Sequence, residues 1–453
     1  VTSRALGGKP RERLKSPLQS LSKRPKLVVW GGSAVATPEL IDALRKGLLP
    51  SEALDVVLVG RTADKLKLVG NLCCKMAEAS QSELHVSYTT DGEAALRSAD
   101  YILSQVRVGG LDGRAFDESF PRELGLPGEE TVGPGGFSSA LRTIPVALQL
   151  SELAKKHAPD AVILNLTNPS SLVQYAMRRY SGMRVLGICD VPVSLTEMLA
   201  HALGLPYEQL EFDYVGMHHA GWMTGVRYRG QDLMPLLLQR AERLSQLEID
   251  PELIRSIGAV PCSYFRYYLH PDRMLAKTAG RETRAEELMG IQATMQALFV
   301  QPDAHEQPEI YSRRGANWYR LIVVPVLLSL MRDSHQVLIV NTDNQDTIGW
   351  LPPEAIIEVP CVVGASGARP LAVGSVPPEV RAFLVRNCAY EMLAVQAIVE
   401  RSYDGALRAL MLNPMIRDAT QARAVLERVW PEAAQHNSHR AAAARQRQDT
   451  TGL

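Results

Sequence analysis

Neither sign of charge is in excess: Lys plus Arg and Asp plus Glu each number 49, so the net charge is zero. A nucleic-acid-binding surface normally leaves a basic surplus, and none is present. Long apolar runs are also missing. The longest strongly apolar stretch, Leu321 to Met331, lies between Arg320 and Arg332 and falls far short of the roughly 20 residues that cross a bilayer. No membrane partner is expected. The basic first residues have no apolar segment ahead of the first strand, which argues against a secretory signal. Cysteine is sparse, with six at positions 73, 74, 189, 262, 361 and 388 and no repeated spacing. In a chain of 453 residues this pattern points to reduced thiols in a cytoplasmic compartment, not to a disulfide framework. Hydrophobic residues make up 46% and charged residues 22%, close to the averages for globular proteins, which excludes disorder, collagen-like repeats and a coiled coil.

Dividing the length by about 150 residues per domain leaves two or three domains. Residues 1–25 are basic and proline-bearing with little apolar periodicity and are expected to form a flexible leader. From Lys26 the pattern sharpens. Apolar runs at 26–30, 55–59, 85–89, 101–106, 161–165 and 184–188 read as strands, with helical stretches at 38–48, 65–79 and 93–98 between them. Strands alternating with helices through short connections imply βαβ units and a parallel sheet. The alternation stops near residue 195, and helices are expected at 286–298, 318–331 and 379–400. The fold expected is α/β: a Rossmann-like parallel sheet with helices on both faces over 26–195, then a helix-rich mixed α+β domain over 196–434. A tail is expected over 435–453.

The first strand ends in Gly31-Gly32-Ser33-Ala34, followed by Thr37-Pro38. A glycine turn at the first βα connection places backbone N–H groups and a helix N-terminus against a pyrophosphate. The turn departs from a strict G-x-G-x-x-G, and its position in the chain is what favours a dinucleotide. After the second strand, where an acidic residue usually meets the ribose hydroxyls, stand Arg61 and Thr62. They suit a 2′-phosphate or stacking on adenine, while Arg61 reads equally as a solvated loop residue. NAD is expected, with NADP left open.

Several segments in order are similar to glycoside hydrolase family 4, the NAD- and divalent-metal-dependent glycosidases. They are Thr37-Pro38-Glu39-Leu40, Arg107-Val-Gly-Gly110, and Gly128-Glu-Glu-Thr-Val-Gly-Pro-Gly-Gly-Phe137 with Ala140-Leu-Arg-Thr143. Thr167-Asn168-Pro169, Cys189-Asp190-Val191-Pro192 and Val215-Gly-Met-His-His219 follow. Tyr264-Phe-Arg-Tyr-Tyr268, Thr283-Arg-Ala285, and the stretches 341–352 and 358–360 complete the set. The resemblance covers nearly the whole chain, from about residue 26 to about 430. It implies that Cys189 and His219 hold the metal, commonly manganese; a thiolate and an imidazole form a mixed site with positions open to substrate oxygens. It further implies that Asn168 and Arg107 touch sugar and cofactor, and that Arg284 helps hold an anion. His218 stands where the family usually has asparagine and is placed with the substrate contacts.

The mechanism implied is an oxidation first: hydride leaves C3 for the nicotinamide, the C2 hydrogen is acidified, and a tyrosine removes it. Elimination at C1, addition of water and return of the hydride follow. This NAD-dependent exception to two-carboxylate glycosidase chemistry is a known one. Tyr264 is the base expected, with Tyr267 and Tyr268 as rivals. An unperturbed tyrosine near pKa 10 needs a cation beside it, for which Arg266, Arg284 and the metal are candidates. Asp190 is the acid expected to protonate the leaving group. The resemblance also implies a homo-oligomer, dimer or tetramer.

The substrate expected is a hexoside with an anionic C6 group, 6-phosphoglucoside first. The serine that helps hold the phosphate in this family falls at Ala34, which leaves a 6-sulfo-6-deoxyglucoside, and hence a sulfoquinovosidase, as an alternative. A lactate- or malate-type dehydrogenase and a non-catalytic NAD-binding protein are further alternatives.

Overall fold

The computed structural model describes residues 24–431. The leader, apart from its last two residues, and the tail expected over 435–453 lie outside them. The first six strands are β1 (Lys26–Trp30), β2 (Ala53–Val59), β3 (Glu83–Thr89), β4 (Tyr101–Ser104), β5 (Val162–Asn165) and β6 (Arg184–Gly187). They run parallel in the order β3-β2-β1-β4-β5-β6, the doubly wound arrangement in which ligands bind beyond the carboxyl ends of the strands. Alternation along β1 shows how the sheet is sandwiched. Leu27 and Val29 enter the cluster that includes helices Thr37–Gly47 and Ala63–Glu78. Val28 enters the opposite cluster with helices Gly133–His157 and Ser170–Ser181, as the two-residue period of a strand requires.

Sequence patterning did not foresee that the second half extends this same sheet. Its strands are β7 (Leu210–Met217), β8 (Ala220–Tyr228), β9 (Gln231–Asp232), β10 (Val260–Pro261), β11 (Gln336–Asp343), β12 (Ile356–Gly364) and β13 (Gly367–Pro370). Beyond β6 the order continues β11-β12-β7-β8-β10, with antiparallel pairing, and β13 and β9 flank β12 and β8. The sheet therefore runs through the boundary placed near residue 195.

The helix expected over 318–331 begins as a π-helical turn, Tyr319–Val323, and becomes α-helical only at Val324–Arg332. Pro325 supplies no N–H, so the regular i to i−4 ladder is interrupted there. Helix Pro378–Glu400 is long and apolar enough, by length and composition, to cross a membrane. Here it packs against helices Gly133–His157, Ser170–Ser181 and Tyr403–Leu412 and buries Asn387 and Glu391. It is a core helix.

Candidate active site

Four residues stand abreast across the middle of the sheet and set the geometry of the site. Gly187 on β6 pairs with Asn341 on β11, Asn341 with Glu358 on β12, and Glu358 with Gly216 on β7. Cys189 lies two residues beyond Gly187, and His218 two beyond Gly216, so this register brings segments distant in sequence to one edge. The Asn341 amide and the Tyr214 hydroxyl donate to the two oxygens of Glu358, at 2.8 and 2.7 Å. Burial pushes the Glu358 carboxyl up to about 7.

His218 and His219 form the tight turn between β7 and β8. His219 adopts a left-handed backbone, φ +59°, uncommon for a residue with a Cβ and worth tracing to function. One ligand-type atom from each of Cys189, His218 and His219 lies within 4.8 Å of the others. All three are buried. Burial drives His218 down to about 3 and His219 well below the usual imidazole value, so both are neutral. Burial first, then Glu358 and Asp190, holds the Cys189 thiol well above its ordinary pKa. Neutral imidazoles and a thiol that a cation would deprotonate fit a divalent metal.

Thr131, two residues before helix Gly133–His157, faces this cluster. Its hydroxyl donates to Glu129 Oε1 at 3.1 Å and lies 3.0 Å from His219 Nδ1. It also stands near enough to the Tyr264 hydroxyl to lower its pKa against the effect of burial. Gly136 makes the close approach possible: a Cβ there would come within 2.6 Å of the Thr131 carbonyl oxygen. Glu129 belongs to a buried charged group in which Arg114 Nε donates to Glu118 Oε1 at 2.6 Å and Arg114 Nη1 pairs with Glu130 at 2.8 Å. Burial, then Glu130 and Glu118, raises Glu129 against the pull of Arg114.

Tyr264 precedes helix Phe265–Leu269, just after β10, which pairs with β8 next to the histidine turn. Its ring lies flat on His219, centroids 3.6 Å apart, and His219 in turn stacks on His218 at 3.7 Å. Burial, then Glu129 and Cys189, raises the Tyr264 hydroxyl well above its usual value. The arginines expected to counter this are engaged elsewhere. Arg266 lies over the Tyr267 ring and pairs with Glu248, and Arg284 pairs with Glu287 at 2.5 Å. Tyr268 packs on Phe265 and Phe383, as a core residue does. Asp190 precedes helix Val191–Leu203 at its N-cap without capping it, and burial raises its carboxyl.

The glycine turn holds its own amides. Gly31 N and Gly32 N both donate to the Val59 carbonyl, at 3.0 and 2.8 Å, and Ala34 N donates to Gly31 O at 3.2 Å. Among the described residues no backbone carbonyl accepts from the N–H groups of Ser33, Val35 or Ala36, so the amides available to a pyrophosphate are not those of the glycines. Gly31, at φ +98°, closes the turn; a Cβ there would stand 2.9 Å from the Gln105 carbonyl oxygen. Arg61 is exposed beyond β2. Asn168 follows β5, beside Thr167, whose hydroxyl ties the end of β4 through Ser104 Oγ and Val106 N at 3.0 Å each.

Arg107 pairs with Glu130. Arg314, which sequence reasoning passed over, is half-buried with its guanidinium 5.3 Å from the Trp318 ring centroid. Among the described residues no carboxylate pairs with it. Burial lowers it to about 10, with further lowering from Arg107, Arg114 and Arg284, so these cations share one field. No isolated motif marks Arg314 in the sequence. Thr131 and Glu129 lie inside the Gly128–Phe137 segment, where a role could have been sought.

Two models of family 4 glycosyl hydrolases match the chain: the first over residues 26–205, the C-terminal domain over 214–416. A probable 6-phospho-beta-glucosidase of Bacillus subtilis (strain 168) is 32% identical over 425 residues, 90% of this chain and 96% of the relative. The 6-phospho-beta glucosidase of Thermotoga maritima, solved with manganese, NAD+ and glucose-6-phosphate, superposes with a TM-score of 0.81 at 27% identity, covering 91% of this chain and 99% of that one. A 6-phospho-alpha-glucosidase from gut microorganisms, solved with NAD and Mn2+, gives 0.78 at 27% identity, over 89% and 97% of the two chains. With the parallel sheet, the glycine turn and the cysteine–histidine cluster all in place, the chain belongs to family 4 of the glycosyl hydrolases.

Proposed function

We propose that this chain is an NAD- and divalent-metal-dependent glycosidase acting on hexosides with an anionic C6 group, 6-phosphoglucosides first. One observation carries the reading: Cys189, His219 and Tyr264 converge beyond the carboxyl ends of a sheet ordered for dinucleotide binding. The family relatives solved with NAD, Mn2+ and glucose-6-phosphate support it. Bound, NAD supplies a reversible hydride acceptor and the metal a Lewis acid toward sugar oxygens.

The chain's own residues do the rest. Cys189 Sγ and His219 Nε2 would hold the metal, because Nδ1 of His219 is engaged by Thr131. The free amides of Ser33, Val35 and Ala36, with Asn168 and Arg61, border the dinucleotide. Tyr264 takes up the C2 hydrogen as a proton after passing its own hydroxyl proton by way of the Thr131 hydroxyl to the Glu129 carboxylate, which Thr131 reaches at 3.1 Å. Asp190, adjacent to Cys189 in the chain, delivers a proton to the leaving oxygen. Arg314, with Arg107 and Arg284, provides the positive field for the C6 anion.

A second reading, a C6 sulfonate, is favoured by the turn. Ala34 has no hydroxyl, and Ser33 Oγ sits against Gly60 at the end of β2, 3.0 Å from where a Cβ would be. A hydroxyl donor to a charged group contributes about 1.5 to 3 kcal/mol, and the more highly charged phosphate loses more by its absence. Matched aryl glucosides bearing phosphate, sulfonate or hydroxyl at C6 test both readings through kcat/KM in the presence of NAD and Mn2+. Either charged substrate should lead; a sulfonate lead selects the second reading, and a neutral glucoside in front contradicts both.

A further inference from the structure

The end of β2 has no room for the carboxylate that an unphosphorylated adenosine ribose asks for. In a parallel sheet of this order the ribose lies beyond the ends of the first two strands, where an acidic side chain accepts from its 2′-hydroxyl. Trp30 and Val59 are paired at those ends. The Gly31 and Gly32 amides both donate to the Val59 carbonyl, so the glycine turn is fastened directly onto the end of β2. The residue after Val59 is Gly60. A Cβ added there would stand 3.0 Å from Ser33 Oγ, 3.1 Å from Ser33 Cβ and 3.3 Å from Leu66 Cδ1. The Ser33 side chain, reaching across from the turn, fills the place of an acidic side chain.

The neighbouring groups are donors instead. Arg61 is exposed, and among the described residues no carboxylate pairs with its guanidinium. Thr62 stands at the N-cap of helix Ala63–Glu78, yet its side chain makes no capping bond. Among the described residues neither its hydroxyl nor that of Ser33 has a hydrogen-bond partner. From Val59 to Lys67 the one acidic residue is Asp64, against Arg61, Lys65 and Lys67. A bare ribose edge, whose two hydroxyls would donate to a carboxylate, finds none here. A phosphate ester at the 2′ position, with about two negative charges at neutral pH, meets a guanidinium that binds it through paired N–H groups.

We propose that this chain selects the 2′-phosphorylated dinucleotide, NADP+, over NAD+, and that Arg61 is the residue that decides the choice. This rests on the dinucleotide-dependent reading above and changes only which dinucleotide is recycled. The hydride chemistry belongs to the nicotinamide, at the other end of the molecule from the 2′ position, and is the same for both. The two relatives solved with NAD are each 27% identical to this chain, which leaves the ribose pocket free to differ.

The test is isothermal titration calorimetry on the full-length protein freed of nucleotide. The ligands are NADP+, NAD+, ADP-ribose and 2′-phospho-ADP-ribose; the last two lack nicotinamide and isolate the ribose contact from any turnover. Each 2′-phosphorylated ligand should bind about one to two decades more tightly than its partner, the worth of one charge-assisted hydrogen bond. Arg61→Ala should bring each pair to near parity by weakening the phosphorylated member alone. Arg61→Lys should keep part of the gap, because an ammonium retains the charge without the paired donors. Both variants change one exposed side chain, and thermal unfolding confirms that they are folded. NAD+ binding as tightly as NADP+ to the parent would overturn the proposal and leave the glycosidase reading standing. So would an Arg61→Ala variant that loses affinity for all four ligands alike, as stacking of Arg61 on adenine requires. If none of the four binds at millimolar concentration, the dinucleotide-dependent reading itself falls, and the proposal with it.

Discussion

Thr131 Oγ1 stands 3.0 Å from His219 Nδ1 and donates its one proton to Glu129 Oε1, 3.1 Å away. A hydroxyl has one donor and two acceptor lone pairs. With its proton committed to the carboxylate, Thr131 accepts from His219 Nδ1–H, which leaves Nε2 as the nitrogen free for the proposed metal. Removing such a partner typically lowers metal affinity by about 10- to 100-fold. Thr131→Val, which keeps the shape and loses the hydroxyl, is expected to weaken Mn2+ binding within that range, and Thr131→Ser to restore it. Competition against a chromogenic chelator measures both.

The proposed ligands themselves have a sharper signature. Cys189→Ser and His219→Ala are expected to abolish metal-dependent cleavage while circular dichroism and unfolding temperature stay near the parent's. Near-normal turnover by either variant at low manganese would place the metal elsewhere.

Glu129 joins the same network at the Tyr264 end. Glu129→Gln retains an acceptor for Thr131 but cannot take up a proton at that atom. The expected result is a kcat lowered by about 100-fold, the lower end of the range ascribed to general acid–base assistance, with KM nearly unchanged. A change confined to KM would reduce Glu129 to a packing role.

Stability should depend on pH through Glu391. Burial pushes its carboxyl up to about 8 in the fold, while an unfolded chain holds it near 4.3. Between those values the folded state binds a proton that the unfolded state lacks, so unfolding free energy falls as pH rises; the contribution is complete below pH 4 and gone above 8. One such proton sets a slope of at most about 1.4 kcal/mol per pH unit. Glu358 and Glu39, both raised to about 7 by burial, act in the same direction. Glu391→Gln should therefore flatten the slope between pH 5 and 8 without abolishing it, as read by denaturant unfolding at stepped pH. An unchanged slope would show that Glu391 is ionised in the fold.

Arg314→Gln addresses the anion. Its guanidinium has no carboxylate partner among the described residues and shares its field with Arg107, Arg114 and Arg284. The variant should lose about one to two decades of kcat/KM on a C6-charged glucoside, the worth of one charge-assisted hydrogen bond. A neutral glucoside should be little affected. Equal losses on both would remove Arg314 from the anion site.

Much of this was legible in the sequence, for a physical reason. The parallel strands and the helices of the first half carry strong local periodicity, and Cys189, His219, Tyr264 and Asp190 lie in short segments that resemble family 4. What stayed hidden is long-range. The row Gly187–Asn341–Glu358–Gly216 depends on antiparallel pairing between strands far apart in the chain, and no local pattern encodes that register. Thr131 and Arg314 lie in connections without periodicity, and the roles proposed for them rest only on what the fold sets beside them. The amides of Gly31 and Gly32 looked available in sequence, yet the Val59 carbonyl takes both.

The central claim, that Tyr264 removes the C2 hydrogen of an oxidised sugar, is tested most directly by running the reaction in D2O with NAD and Mn2+ and examining the released hexose by NMR. A proton lost at C2 and regained from solvent leaves deuterium on that carbon, whereas an ordinary glycosidase never breaks that bond. The account predicts product deuterated at C2, and no product from Tyr264→Phe or from protein stripped of nicotinamide. Product carrying only hydrogen at C2, formed at full rate, would contradict it.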